Sequence, residues 1–261
     1  KANLKEMLID AKFGNASSKV VIEEFLEGIE LSVFVATDGK DYKILPEAKD
    51  YKRIGEGDTG LNTGGMGAVS PVIFANEDFM KKVEDRIIKP TVDGLAKEEI
   101  SYKGFIFIVL MNKGGDPYVI EYNVRMGDPE TQAVLARIES DFLTMLEAMG
   151  KGSLAEYDLK ISPHFATTVV MVSGGYPGSY TKGFPISLGE GNDKSILFHA
   201  GTGRNDNGDL INTGGRVLAI TGLGETLSEA LENAFERVEK VSWEGAYYRK
   251  DIGKDIQKLY N

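Results

Sequence analysis

Two side chains with oxygen donors, Glu121 and Asn123, stand at the end of an apolar run of the sequence. Successive side chains of a β-strand point to opposite faces, so this pair shares one face while Tyr122 points to the other. Carboxylate and amide oxygens are ligands that Mg²⁺ and Mn²⁺ accept beside the phosphate oxygens of a substrate. The pattern predicts a divalent-cation site. The alternative is a strand end whose polar side chains face water.

Charged residues follow this pair and come directly before a predicted helix. Arg125, Asp128 and Glu130 lie within the string EYNVRMGDPETQ at 121–132. A guanidinium group and a helix N-terminus both bind anions such as phosphate or carboxylate. The cluster therefore predicts an anion site. Alternatively, Asp128 and Glu130 cap the helix, a role that acidic residues also fill.

A second candidate site is a glycine-rich segment that follows two basic residues. Lys52 and Arg53 precede the string DTGLNTGGMG at 58–67, which contains Asn62. Glycines let backbone N–H groups approach an anion closely, and the two cations add positive charge. The spacing is neither that of the Walker loop nor that of the dinucleotide fingerprint. The segment therefore indicates anion binding but matches no specific nucleotide-binding motif. A third segment, EEFLEGIE at 23–30, is by itself an acidic connector between two predicted strands.

Predicted strands and helices must position these residues. Apolar stretches between turn signals predict strands at 20–22, 31–36 and 42–45, and a buried hairpin at 105–111 and 118–122. Residues 50–71 contain six glycines and no periodicity, which predicts a long loop that is either functional or disordered. One helix is predicted from about Thr131 to Gly150 or Gly152, and an earlier one is interrupted by Pro90.

The last hundred residues have a different pattern. Strands at 167–172 and 217–221 alternate with glycine turns, and a capping box of Thr226 and Glu229 opens one amphipathic helix. The change of pattern after residue 152 predicts a domain boundary there.

Composition excludes several classes of function. With 30 Lys and Arg against 40 Asp and Glu, the chain of 261 residues has a formal charge of −10. Nucleic-acid surfaces need a net basic face, so we expect no nucleic-acid partner. The absence of cysteine excludes disulfides and thiolate chemistry, and the longest apolar run is too short for a membrane helix, so we expect no membrane partner.

Five strings, taken in order, resemble the ATP-grasp ligases, and among them the glycinamide ribonucleotide synthetase family. They are DTGLNTGGMGAVSP (58–71), EYNVRMGDPETQ (121–132), SGGYP (173–177), FHAGT (198–202) and YRKDIG (248–253). The resemblance covers 20–253 and implies an α+β fold. It implies a partial ATP-grasp domain over 1–152, which consists of an antiparallel sheet with helices. It also implies a small β-rich C-terminal domain with one packed helix over 153–261. Ile29, Tyr51 and Leu61 depart from the family pattern.

The resemblance also implies an activity. It is that of a cytoplasmic enzyme of purine biosynthesis which uses ATP with Mg²⁺ or Mn²⁺ and joins glycine to 5-phosphoribosylamine. Glycine is first phosphorylated to glycyl phosphate, and the products are glycinamide ribonucleotide, ADP and phosphate.

Residue roles are implied in the same way. The adenine hinge would be formed by Glu23, Glu24, Phe25 and Leu26. Glu30 would bind the ribose. Further contacts with the nucleotide would come from Lys52, Arg53 and Asn62. Glu121 and Asn123 would bind the metal. Arg125 and Asp128 would be catalytic residues on the substrate side.

The resemblance further implies that this sequence is the C-terminal portion of such an enzyme. An upstream substrate domain and a lysine-bearing flap would then be missing, the N-terminal portion would be a partner, and the chain alone would be inactive. Two other readings stay open. One is a non-catalytic module that binds nucleotide or a partner, and the other is a different ATP-grasp carboxylate–amine ligase.

Overall fold

The computed structural model describes residues 2–11 and 14–260. The strands in chain order are β1 (Ile29–Thr37), β2 (Tyr42–Ile44), β3 (Lys49–Asp50), β4 (Arg53–Gly55), β5 (Thr59–Asn62), β6 (Gly67–Ser70), β7 (Gly104–Lys113), β8 (Asp116–Asn123), β9 (Phe165–Val172), β10 (Ser195–His199), β11 (Thr202–Arg204), β12 (Leu210–Asn212) and β13 (Arg216–Gly224). The helices are α1 (Ala2–Leu8), α2 (Glu77–Val83), α3 (Lys89–Lys97), α4 (Glu130–Leu135), α5 (Phe142–Lys151), α6 (Leu227–Glu239) and α7 (Lys254–Tyr260). Short 3-10 turns lie at Gly14–Ser18 and Leu154–Glu156.

The first sheet is antiparallel, with strand order β2-β1-β7-β8. Its two central strands are apolar along most of their length because helices cover both faces. Val33 and Ile108 share a buried cluster with Phe79 of α2. On the opposite face, Phe34 and Val109 belong to the cluster that packs against α4 and α5. This two-sided burial makes the sheet a rigid support for the residues at its ends.

The second antiparallel sheet has the order β10-β13-β9-β6-β3, and α6 packs across it. Strand β6, from the glycine-rich segment, pairs with β9, with Gly67 opposite Val169. The segment predicted as a site is thus built into a sheet formed largely by the last hundred residues. The boundary between 1–152 and 153–261 stays a prediction, and this sheet contains strands from both sides of it.

Mixed α+β architecture with antiparallel sheets agrees with the predicted fold class, but three local expectations were wrong. The predicted loop at 50–71 contains β4, β5, β6 and part of β3. These strands are short, and β5 is exposed throughout, so no apolar alternation marks them. The backbone at 20–22 forms no ladder, and the side chains of Val21 and Ile22 are exposed.

The helix predicted from Thr131 is divided into α4 and α5. Asp141 accepts a hydrogen bond from the Thr144 N–H and begins α5, while Glu139 donates its N–H to the Lys160 carbonyl. Because of these contacts, the backbone between α4 and α5 is not helical. The predicted end at Gly152 is confirmed, since this residue is left-handed with φ 77°. A π-helical turn, Glu84–Ile88, precedes Pro90.

Across the described ranges, no helix has both the length and the apolar character that crossing a bilayer requires.

Candidate functional site

The predicted metal ligands lie at the end of β8, just after an irregularity in its pairing with β7. Val109 faces Glu121 but Leu110 faces Val119, so Ile120 is an extra residue in β8. Such a bulge redirects the side chains next to it. Glu121 and Asn123 then share one face, where the Asn123 Nδ2 donates to Glu121 Oε1 over 3.2 Å.

The chemistry of this pair suits a hard cation. Glu121 offers a carboxylate, and the amide oxygen of Asn123 is turned to the Arg125 guanidinium, with 3.5 Å between Oδ1 and Nη2. In the part of the chain that the structure describes, no three His, Cys, Asp or Glu side chains form a cluster that could hold a metal. A cation at Glu121 and Asn123 would therefore take further oxygens from a ligand or water, as Mg²⁺ commonly does.

Two cavities are lined by Ile120, the extra residue of the bulge. The larger has a volume of about 510 Å³, and the smaller has a volume of about 390 Å³. The predicted nucleotide residues divide between the two, with Glu23, Glu24, Phe25 and Leu26 along the smaller and Glu30, Lys52, Arg53 and Asn62 along the larger.

The larger cavity contains a cation among carboxylates. Lys52 forms an ion pair with Glu30. Burial by itself would lower the pKa of Lys52, but the carboxylates of Asp50, Glu30 and Glu121 outweigh burial and leave this pKa raised. Lys52 is therefore a fixed positive charge on the cavity wall.

Two carboxyl groups interact with Lys52: Asp50, which lines the larger cavity, and Glu130, which is buried. Burial raises the pKa of Asp50 to about 6, a change that Lys52 opposes. Burial also raises the pKa of Glu130 to about 7, and the charge of Asp50 adds to the effect. The Glu130 Oε1 accepts a hydrogen bond from Ser32 Oγ at 3.1 Å, and the carboxylate also bonds the Glu130 N–H in the first turn of α4. Glu130 belongs to the charged cluster that was predicted as an anion site, whereas Asp50 was not singled out as a ligand.

The two residues predicted for the substrate side lie in different surroundings. Arg125 stays beside Asn123 and donates Nη1 to the Met126 carbonyl over 2.9 Å. Asp128 instead accepts from Arg216 Nη2 at 2.7 Å. Arg216 also donates Nη1 to the Gly64 carbonyl over 2.6 Å, which joins the turn before α4 to the glycine-rich segment.

Arg216 is a residue that the sequence reasoning missed. The local sequence feature that marks it is the string GGR at 214–216, in which a cation follows a glycine pair and begins the apolar strand β13. Nothing in that local pattern identifies Asp128 as its partner.

The α+β fold with antiparallel sheets is that of an ATP-grasp protein. The family model described as "Phosphoribosylglycinamide synthetase, ATP-grasp (A) domain" matches residues 1–131, and the model of the C domain of the same enzyme matches 166–255. The chain belongs to the phosphoribosylglycinamide synthetase family.

Individual relatives agree with this assignment. The phosphoribosylamine–glycine ligase of Chlorobaculum tepidum is 46% identical over 244 residues, which are 92% of this chain and 57% of the relative. The bifunctional purine biosynthetic protein PUR2,5 of Pichia angusta is 45% identical over 252 residues, 95% of this chain and 32% of the relative. A crystal structure of phosphoribosylamine–glycine ligase from Thermotoga maritima has a TM-score of 0.82 at 39% identity, covering 95% of this chain and 63% of that one. This chain therefore spans between about a third and two thirds of the length of these proteins.

Proposed function

We propose that this chain supplies the nucleotide and metal sites of an ATP-dependent ligase that joins glycine to 5-phosphoribosylamine, giving glycinamide ribonucleotide, ADP and phosphate in purine biosynthesis. The observation that carries the proposal is that Ile120, the neighbour of Glu121 in β8, lines both cavities, and that all the predicted nucleotide residues lie along their walls. Membership of the phosphoribosylglycinamide synthetase family supports the choice of substrates.

The smaller cavity is the proposed adenine site. The 23–26 segment forms one wall, and Met111 and Tyr118 contribute apolar surface to another. Unpaired backbone groups of an extended segment can exchange hydrogen bonds with the edge of a purine ring. Glu30, at the neighbouring end of the larger cavity, is the proposed ligand of the ribose hydroxyl groups.

The larger cavity is the proposed site of the phosphate groups. Lys52, Arg53 and Asn62 line it and offer an ammonium, a guanidinium and an amide group. Glu121 and Asn123 would hold Mg²⁺ or Mn²⁺, whose positive charge neutralises phosphate oxygens during phosphoryl transfer.

Arg125 and Asp128 are the proposed catalytic residues on the substrate side. In the proposed reaction a carboxylate oxygen of glycine takes the terminal phosphoryl group of ATP, and ADP leaves. The amine nitrogen of phosphoribosylamine then attacks the acyl carbon of glycyl phosphate, phosphate leaves, and the nitrogen loses a proton. Arg125 would orient an anionic group, while Asp128 would be held in place by Arg216.

Three finer points stay predictions. They are the cytoplasmic location, the identity of the metal, and an N-terminal portion of the same enzyme as a partner.

The test begins with nucleotide binding, measured by calorimetric titration of MgADP into the chain. We expect binding that requires the divalent cation. Glycine-dependent release of ADP and formation of glycinamide ribonucleotide are then measured in the full-length protein that carries this sequence. Absence of nucleotide binding would contradict the proposed site. Binding without turnover would favour a non-catalytic module, and turnover with other substrates would favour a different carboxylate–amine ligase.

A further inference from the structure

The hairpin of β4 and β5 carries two of the proposed nucleotide contacts but has little structure of its own. Its strands pair at Arg53 with Asn62 and at Gly55 with Thr59, with an irregular register between these pairs. Strand β5 is exposed along its whole length. An isolated two-stranded hairpin is marginally stable in water, so contacts outside the hairpin must fix its position.

The 247–251 segment, which follows α6, makes such contacts. The hydroxyl group of Tyr247 donates to the carbonyl of Ile54 in β4 over 3.0 Å. At the turn between the two strands, the Gly57 N–H donates to Asp251 Oδ2 over 2.8 Å. The segment therefore contacts the hairpin along one strand and at its tip.

Arg249 lies at the centre of these contacts, and its side chain is 1% exposed. Its Nε and Nη2 donate to the two carboxylate oxygens of Asp251 over 2.8 and 2.7 Å. Its Nη1 donates to Asp58 Oδ1 over 2.8 Å and to the backbone carbonyl of Arg53 over 3.1 Å. One guanidinium group thus holds the first residue of β4, the turn, and its own segment together.

The contact geometry needs a guanidinium group. Its donors leave a rigid plane in fixed directions and can bind a carboxylate with two parallel hydrogen bonds. A lysine ammonium is a single point on a flexible stem, so it cannot keep Asp251, Asp58 and the Arg53 carbonyl all paired. Loss of any of these contacts would favour movement of the hairpin.

We propose that Arg249 is a positioning residue for nucleotide binding. By pairing with Asp58 and with the Arg53 carbonyl, it holds the β4–β5 hairpin where Arg53 and Asn62 face the larger cavity. The C-terminal 247–251 segment thereby sets the affinity for the nucleotide phosphates, although it does not line the cavity there. This inference rests on the proposed function, which assigns Arg53 and Asn62 to the nucleotide.

The test compares two buried arginines of the C-terminal part of the chain. In Arg249→Lys we expect the dissociation constant of MgADP to rise about tenfold, the equivalent of about 1.4 kcal/mol. Arg237→Lys is the matched control, because Arg237 is buried in α6 and bonds the Glu190 carbonyl away from the hairpin. We expect its dissociation constant to equal that of the unchanged chain.

Hydrogen exchange of the Gly57 amide gives a readout that general destabilisation would not produce. We expect this amide to exchange faster in Arg249→Lys, while amides of β9 and β13 keep their protection. Tyr247→Phe provides a milder variant that removes one hydroxyl group of a partly exposed side chain. We expect it to weaken MgADP binding by about two- to threefold, since it loses one neutral hydrogen bond.

Each outcome decides a separate point. Unchanged MgADP affinity in Arg249→Lys or in Tyr247→Phe would overturn the inference, as would an equal loss in Arg237→Lys. If the unchanged chain failed to bind MgADP, the proposed function would be contradicted. In that case the Gly57 exchange rate would still decide whether Arg249 holds the hairpin.

Discussion

Arg216 donates a hydrogen bond from Nη2 to Oδ2 of Asp128 over 2.7 Å, although 88 residues separate the two in the sequence. The same guanidinium group donates Nη1 to the Asp128 carbonyl over 2.8 Å and to the Gly64 carbonyl over 2.6 Å. The first residue of β13 therefore fixes the turn before α4 relative to the glycine-rich segment. The turn carries Asp128, which is proposed for the substrate side, and the glycine-rich segment carries Asn62, which is proposed to contact the nucleotide.

Arg216→Lys tests whether this connection matters for catalysis. A lysine cannot bond the side chain and carbonyl of Asp128 together with Gly64, so we expect kcat in the full-length protein to fall about tenfold. The KM for ATP should change less, because the hydrogen bonds of Arg216 go to Asp128 and Gly64 and not to a proposed nucleotide ligand. Arg204→Lys is the control, since Arg204 bonds the Gly208 carbonyl in its own turn. An unchanged kcat would show that the Arg216 contacts are dispensable.

Gly65 tests how closely the glycine-rich segment approaches the turn. Its φ is +114°, and a Cβ there would lie 2.4 Å from Cδ of Pro129. We expect Gly65→Ala to lower the free energy of unfolding by about 2–4 kcal/mol through backbone strain and overlap. Gly150→Ala is the control in α5, where a Cβ meets open space and should stabilise by about 0.5–1 kcal/mol. Chemical denaturation measures the free energy of unfolding of both variants. Equal changes in Gly65→Ala and Gly150→Ala would contradict the close approach of Gly65 to Pro129.

Local patterns were enough to predict much of the fold. The hairpin of β7 and β8, with Glu121 and Asn123 on one face at its end, follows from apolar runs around a glycine turn. Side chains that cap helices could also be recognised, because a cap uses residues three positions apart. Thr226 caps α6 as the spacing predicts, and Asn76 caps α2. The Glu229 carboxylate bonds the Glu225 N–H and not that of Thr226.

Other parts of the site depend on contacts that local patterns do not contain. The extra residue Ile120 follows from the register between two strands, which their apolar residues do not determine. Arg249 and Arg216 bond Asp58 and Asp128, which are 191 and 88 residues away in the sequence, so local patterns do not reveal these contacts. The raised pKa of Glu130 arises from burial and from Asp50, so it requires the packed structure.

Glu121→Gln tests the proposed metal site. The substitution keeps the size of the side chain and removes its charge, which is the main attraction for a divalent cation. We expect the affinity for MgADP to fall about tenfold, towards that of ADP without metal. Titrations of ADP with and without Mg²⁺ separate a loss of metal-dependent binding from a loss of binding to the nucleotide itself. Glu98→Gln, at an exposed carboxylate after α3, is the control. A full Mg²⁺ response in Glu121→Gln would exclude this carboxylate as a ligand.

Glu130 predicts a pH dependence of stability. Its pKa is raised to about 7, first by burial and then by Asp50, so the folded chain binds its proton more tightly than the unfolded chain. The stabilisation is complete below the unfolded value near 4.5 and is lost as the pH rises towards 7. Relative to Glu130→Gln, the free energy of unfolding of the unchanged chain should fall by about 2–3 kcal/mol across this interval.

Glu229→Gln provides a comparison of opposite sign. A hydrogen bond from the Glu225 N–H, and after it Lys194, lowers the pKa of Glu229, so its stabilisation is present at neutral pH and is lost as the pH falls. Denaturant titrations at several pH values should therefore give differences that slope in opposite directions for the two variants. Parallel slopes would mean that Glu130 is not held in its protonated form by the fold. Because the amide of Glu130→Gln can still accept from Ser32 Oγ, a loss of that hydrogen bond could not account for the difference.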